Sequence, residues 1–287
     1  MNLTKEFTLL LAGCCIFTVN TNAQTSGKLL LVKGQKIQID NNIKSVINQE
    51  MMGQAIEIII DANMIHQLEV KDKKTGSYML SSTLTKLTTN GNAMGQEIKF
   101  DSDKKADIES ETGKALKDQL NVNKEVEIDE NAHVINGIKK DVKAAGGVQL
   151  MDMVNNITGG NADESNGASA AFEILPAGKK IGDSWTDSTI TDELKTYRSY
   201  TLKQLTGNDA TITLNGKQIT KKKIEQQGME INVNMEGKLS GEELVDISSG
   251  LVKNRTLVMD GTGTAEVMGQ SIPVKTKITT TTNVKKI

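Results

Sequence analysis

Both cysteines of this 287-residue sequence, Cys14 and Cys15, fall within its first two dozen residues. Beyond them the chain has no thiolate nucleophile, no cysteine metal ligand and no disulfide. Histidine is almost as scarce. A metal site would need both His66 and His133 plus carboxylates, so no metal or other cofactor is expected. Aromatic residues make up 3% against an apolar total of 37%, which requires an aliphatic core with the 12 methionines as adaptable filler. The formal charge of −2 supplies neither the basic footprint of a nucleic-acid binder nor a strong acidic field. Ser102-Asp103-Lys104-Lys105 has the bare S-x-x-K spacing without its companion elements, and no nucleophile elbow seats a serine. With no convincing set of acid, base and nucleophile, the expectation is a protein that is not an enzyme.

What is present begins with an export signal. Lys5 gives a short basic start, Phe7 to Val19 is an uncharged apolar run, and Thr21-Asn22-Ala23 offers small residues for a leader peptidase. A membrane-spanning helix needs about 20 apolar residues. This run is shorter and no later segment approaches it, so no transmembrane span is expected. Leu11-Ala12-Gly13-Cys14 resembles a bacterial lipobox, which would make Cys14 a lipidation site and the protein an outer-membrane lipoprotein. Ile16, Phe17 and Val19 continue the apolar run past Cys14, however, and favour simple cleavage after Ala23. Residues 1–23 then form a signal peptide, and residues 24–287 an exported domain, periplasmic or extracellular and large enough for a sizeable core.

Strict alternation is the clearest signal in that domain. Ile56, Ile58, Ile60, Ala62, Met64, His66, Leu68 and Val70 share one face, with mostly polar residues between them. Period two held this long marks a strand with one buried and one wet face, and a bend or bulge within it is expected. Met229, Ile231, Val233, Met235 and Leu239 repeat the pattern, as do Ile272, Val274, Thr276, Ile278, Thr280, Thr282 and Val284. Shorter runs at 36–40, 78–84, 197–205 and 210–214 complete two β stretches, about 28–137 and 172–287. Such alternation belongs to antiparallel sheets. Met-Gly-Gln occurs at 52–54, 94–96 and 268–270, with Gln227-Gly228-Met229 as an inverted relative, and reads as the turns of long hairpins. Lys221-Lys222-Lys223 reads as protection of a strand edge.

Other structure is expected around the middle. Residues 106–120 open acidic and close with Lys114 and Lys117, as a helix would. Residues 125–129 and 132–136 read as a short hairpin. In the joining segment 138–171, residues 139–157 space Val142, Ala145, Val148, Met151, Val154 and Ile157 at intervals of three, and residues 158–170 form a polar loop.

The most distinctive local sequence is Pro176 to Trp185 (PAGKKIGDSW), followed by Tyr197, Tyr200 and Asp246-Ile247-Ser248-Ser249-Gly250-Leu251. With the Met-Gly-Gln repeats, Phe100-Asp101-Ser102-Asp103 and Gly113-Lys114-Ala115-Leu116, it resembles an uncharacterised family of exported proteins common in Bacteroidota. The resemblance spans nearly the whole mature chain. It rests on turn and packing residues, so it implies no activity and transfers no functional residue. Trp185 is expected to be a structural anchor at a strand start.

These readings converge on a mainly β (α+β) fold: a long-stranded curved antiparallel sheet or half-barrel, or two related β units, with one or two covering helices. At the level of fold this is similar to the periplasmic lipoprotein carriers, whose half-barrel holds acyl chains under a helical lid. The expected function is non-catalytic binding of a lipid or other apolar ligand. The lining candidates are Ile56, Ile58, Ile60, Met64 and Leu68 with Met229, Ile231, Val233 and Met235. A structural module that meets an envelope protein partner without a small ligand is the alternative, and a hydrolase of unrecognised type the third. The processing expectation is tested by the N-terminus of the exported protein: Gln24 should be found, and Cys14→Ser should leave export and fatty-acid labelling unchanged.

Overall fold

The computed structural model describes residues 27–51, 53–93, 96–116, 119–136, 167–226 and 229–287. The expected signal segment, Cys14, the expected helix at 139–157 and most of the loop after it lie outside the described residues.

Among the described residues twelve strands form one open antiparallel sheet. They are β1 Lys36–Met51, β2 Gln54–Lys74, β3 Ser77–Ala93, β4 Gln96–Asp101, β5 Asn123–Asp129, β6 Val134–Asn136, β7 Ser184–Ile190, β8 Leu194–Thr206, β9 Asp209–Gln226, β10 Met229–Asp246, β11 Leu251–Val267 and β12 Gln270–Lys286. Their order is β6-β5-β3-β2-β1-β12-β11-β10-β9-β8-β7, with β4 paired to β3 beside β5. Each half of the chain is therefore a meander. The halves join where β1 and β12 pair at the centre of the sheet, from Ile37 opposite Lys286 to Gln49 opposite Val274. Parallel strands are absent among the described pairings because every connection within a half is a hairpin or short excursion.

The strands exceed the expected ones in length. β1 runs to Met51, not Asp40, and β3 and β9 extend well past their alternating runs. β2 carries the expected irregularities, at Ile65/His66 and Val70/Asp72. The whole of β11 escaped the period-two reading, because its inward positions include Gly261, Gly263 and Arg255. The Lys221–Lys223 run sits on β9, an interior strand; β8 begins only opposite Thr220 and Lys221 N–H still donates to Glu193 O, so Lys222 and Lys223 lie beyond the β8 side.

All four Met-Gly or Gln-Gly sequences connect strands through two residues. The flanking pairs are Met51–Gln54, Ala93–Gln96, Gln226–Met229 and Val267–Gln270. They lie at one end of the sheet, here called the rim. Met268 (φ 51°) and Gly269 (φ 79°) are both left-handed, the geometry of a two-residue hairpin turn that matches strand twist.

The opposite end is closed. Leu29 N–H donates to Glu130 O at 2.7 Å, and Leu30 N–H donates to Ser249 O at 3.4 Å. Glu130 follows β5 and Ser249 precedes β11, five strand spacings away, or about 24 Å across a flat sheet. Two successive residues, about 4 Å apart, reach both. The sheet is therefore strongly curled here, with residues 27–35 and 167–175 packed into the curl. Leu29, Leu31, Phe172 and Leu175 join Ile37, Ile39, Tyr78, Val126, Leu202, Ile212 and Val245 in the larger core.

Inward-facing glycines permit this curvature. A Cβ on Gly91, Gly216, Gly241 or Gly263 would overlap a carbonyl oxygen of the adjacent strand, that of Ile59, Tyr197, Thr256 or Asn234. Glycine at a sheet bend allows this close backbone approach.

The expected helix at 106–120 is instead two short ones, α1 Lys105–Glu109 and α2 Glu111–Ala115. Ser110 is extended (ψ 168°) and its hydroxyl accepts from Gly113 N–H, capping α2 and ending α1. Leu116 and Leu120 then pack with Phe100, Leu84, Leu87, Ile43, Ile60 and Met64 in a second core. Replacing Gly241 by Ala should destabilise the fold by about 1–3 kcal/mol in urea unfolding, through its clash with Thr256 and Leu257.

Candidate functional site

The inner face is the one that carries both cores, and a polar ladder crosses it. Ile212, Glu243, Arg255, Thr282, Asn41 and Met64 occupy successive register positions on β9, β10, β11, β12, β1 and β2. Arg255 Nε donates to Glu243 Oε2 at 2.6 Å and Nη2 donates to Glu173 Oε2 at 3.0 Å. Thr282 Oγ1 donates to Asn41 Oδ1 at 2.7 Å, buried. Glu173 belongs to the segment that fills the curl, where Glu173 N–H donates to Gly250 O. The ladder thus ties that segment to the sheet.

One guanidinium serves two carboxylates in this belt. Burial, then repulsion from Glu243, pushes the Glu173 carboxyl up to about 8, opposed by Arg255 and Arg198. Arg255 is held firmly protonated: burial alone would lower its pKa, but Glu243 and Glu173 outweigh that. Burial also raises the Tyr200 hydroxyl. Tyr200 stacks on Trp185 with ring centroids 5.5 Å apart, and Lys179 lies over the Trp185 ring. Trp185 stands at the start of β7. His66, one register position past Met64 on the same face, is buried beside Gly167 with Nδ1 unpartnered. Desolvation, aided by Lys124, lowers its pKa to about 4 and keeps it neutral. His133 meets Asp129 at 3.1 Å on the surface instead.

The expected lining residues divide by depth. Leu68 belongs to the closed-end core, and Ile60 and Met64 to the core beneath Leu116. Ile56 and Ile58 are half-buried near the rim, as are Ile231, Val233 and Met235. The Met229 side chain lies outside the described residues. β2 and β10 share the inner face but are separated by β1, β12 and β11. Between them on that face β1 contributes Gln49, and the rest is aliphatic: Ala265 and Val267 on β11, and Ile272 and Val274 on β12. All four are half-buried and belong to neither core. Sequence reading had placed Ile272 and Val274 on a strand but missed the β11 pair, because glycine breaks that strand's alternation.

Toward the ladder this aliphatic lane meets a row with little side chain: Gln218, Gly237, Gly261, Thr276, Ile47 and Ile58. Met259 leans over Gly237, and Met235 over Gly261 and Gly263. A cavity of about 20 Å³ remains between these methionines and glycines, Gln218 and Thr220. A larger cleft of about 770 Å³ crosses β7, β8 and β9. The alternation assigns Thr186, Ser188, Tyr197, Ser199, Asn215 and Lys217 in its lining to the outer face, and Asp187, Arg198 and Gly216 to the inner, away from the lane. Among the described residues no group of acidic, cysteine and histidine side chains is arranged to hold a metal, and no helix is long and apolar enough to cross a membrane.

Residues 75–252 match the model of a family of unknown function, DUF6263. The chain belongs to that family. The DUF6263 match runs from the β2–β3 turn to the start of β11 and agrees with the expected membership of a family without assigned activity. No curated protein matches the sequence. Among solved structures, lipovitellin, studied for its lipid–protein interactions, is similar over 89% of this chain at 11% identity and a TM-score of 0.50. This DUF6263 chain spans 25% of the lipovitellin chain. A COG4313 outer membrane channel from Pseudomonas putida F1 aligns with 90% of this chain and 98% of its own, at 7% identity and a TM-score of 0.25. OmpF of Salmonella typhi, in complex with daunomycin, aligns with 90% and 100% at 9% identity and a TM-score of 0.23. The lipovitellin likeness is one of fold, and the two channel alignments are too distant to add to it.

The belt makes stability depend on pH with a definite sign. Glu173 moves from 4.5 to about 8 on folding, so between these values the folded state holds the extra proton and stability falls as pH rises. His66 moves from 6.5 to about 4, so the unfolded state holds the extra proton and stability rises with pH in that lower window. Above pH 6.5 the Glu173 contribution stands unopposed by His66. Urea midpoints should drop from pH 6.5 to 8, and Glu173→Gln should flatten that slope.

Proposed function

We propose that this is an exported, non-catalytic binding protein for a hydrophobic or lipid-like ligand, held on the inner face of the sheet between the glycine row and the rim. One observation carries the reading. At the closed end the inward aliphatic side chains are buried, whereas on β10, β11 and β12 near the rim they stay half-exposed on the same face. Each Val or Ile left half-exposed forgoes about 1 kcal/mol of burial. A lane of such residues therefore offers several kcal/mol to an apolar ligand that covers it.

The local architecture supports a container in preference to a plain core. Leu116 and Leu120 cover the inner face over β1–β4, but neither core cluster reaches the β10–β12 lane. The fold-level likeness to lipovitellin is compatible with this reading. The leader-like start supports a site of action outside the cytoplasm, in the periplasm or beyond, where such ligands must be shielded from water.

The test is direct. The full-length protein, expressed in a host able to export it and purified without detergent, should show a bound lipid-mass adduct by native mass spectrometry. After delipidation it should enhance the fluorescence of phenylnaphthylamine, a neutral apolar probe. Val233→Glu should weaken probe binding by about tenfold or more, because a charge in the lane must be desolvated when the ligand binds. Absence of both adduct and probe binding would favour the structural, partner-binding alternative.

A further inference from the structure

Among the described residues three inner-face hydroxyls have no hydrogen-bond partner, those of Thr89, Ser45 and Thr276, and the last two lie close together. Ser45 Oγ and Thr276 Oγ1 are both buried without a hydrogen bond, and Ser45 is 1% exposed. They are neighbours across the β1–β12 pair, since Thr276 faces Ile47 and Ser45 faces Ile278. A buried hydroxyl left unpaired costs free energy, so such groups ordinarily meet a protein, water or ligand partner.

These hydroxyls border the glycine row. Thr276 pairs with Gly261, and its methyl lies 2.8 Å from where a Gly261 Cβ would stand. On the other side of Gly237 is Gln218, 8% exposed, whose amide makes only a marginal 3.5 Å contact with Thr220. Gly237 and Gly261 thus contribute no side chain of their own to the floor between Gln218 and Thr276. Met235 and Met259 lie over that floor, and methionine side chains re-pack readily to admit a guest. From Gly237 to Ile231 the strand runs roughly 20 Å toward the rim, the length of a long acyl chain.

Charge decides the chemistry of the head. On β10, β11, β12 and β1 no inward side chain between the rim and the polar ladder is ionisable. Arg198, one row deeper on β8, is held by Asp187 at 2.9 Å, and Lys222, nearer the rim on β9, is already engaged. An ionised head would be buried here without a counter-charge, at large desolvation cost. Building on the proposed function, we propose that the ligand is an amphiphile with an uncharged, hydrogen-bonding head. It enters head first. The head rests on Gly261 and bonds with Thr276 and Ser45, and the chain lies along β10–β12 to the rim.

The delipidated protein is titrated by phenylnaphthylamine displacement with a fatty alcohol, a monoacylglycerol and the ionised fatty acid of equal chain length. The two neutral-headed ligands should bind at least about tenfold more tightly than the ionised acid. Ser45→Ala combined with Thr276→Val should remove most of that preference while probe affinity stays unchanged. Thr276→Ser, which keeps the hydroxyl, should retain the preference and serves as a second reading if the double variant misfolds. Equal binding of acid and neutral ligands, or a preference that survives loss of both hydroxyls, overturns this inference and leaves the apolar site standing. Water alone would then satisfy the two hydroxyls. Failure of the probe and every amphiphile to bind overturns the proposed function and this inference together.

Discussion

The structure depends on the clasp at its closed end. An open sheet this wide has no reason to curl unless something inside the curl holds its distant parts together. Residues 27–31 do so with their backbone, donating to Glu130 after β5 and to Ser249 before β11, while Tyr78 Oη donates to Leu29 O at 2.8 Å. The 167–175 segment reinforces them through Phe172, Leu175 and the Glu173–Arg255 pair. These two segments supply apolar side chains where the inward faces of the two halves converge, so the large core forms there. The rim has no equivalent clasp among the described residues, and its inward aliphatics remain half-exposed.

Burial of charge has a specific role in that arrangement. A salt bridge placed this deep is weak evidence for stability, since desolvating its members offsets their attraction. Here one arginine answers two carboxylates, and Glu243 Oε1 remains without a hydrogen-bond partner. What the cluster supplies is position: it fixes the register of the filling segment over β10 and β11, where aliphatic contacts alone would tolerate sliding. The same row of the sheet, continued through Thr282 and Asn41, runs between the closed-end core and the second core beneath Leu116.

Much of this was legible from alternation. β2, β10 and β12 follow from their period of two, and the Met-Gly turns from a glycine beside each strand end. The bulges in β2 were anticipated because so long a strand must accommodate twist. β11 was not legible, because glycine and arginine at its inward positions erase the hydrophobic signal that reveals a strand. The two short helices were read as one, since the capping Ser110 sits inside an otherwise helical pattern. Among the lining candidates, the alternation put the residues on one face of the sheet but carried no information about depth. Leu68 and Ile231 look alike in sequence, yet one is sealed in the core and the other is half-exposed.

The sequence by itself determined that this chain would be a long-stranded antiparallel sheet with one aliphatic face, because side-chain period is a local property of the backbone. It also determined the hairpin turns and the absence of cysteine chemistry beyond Cys15. Tertiary structure decided that β1 and β12, at opposite ends of the described chain, pair at the centre and make one sheet of two meanders. It decided which stretch of the aliphatic face is filled and which stays open. That outcome depends on where irregular segments distant in sequence pack across the curled sheet, and on a row of glycines whose missing side chains become a floor only when neighbouring strands align them.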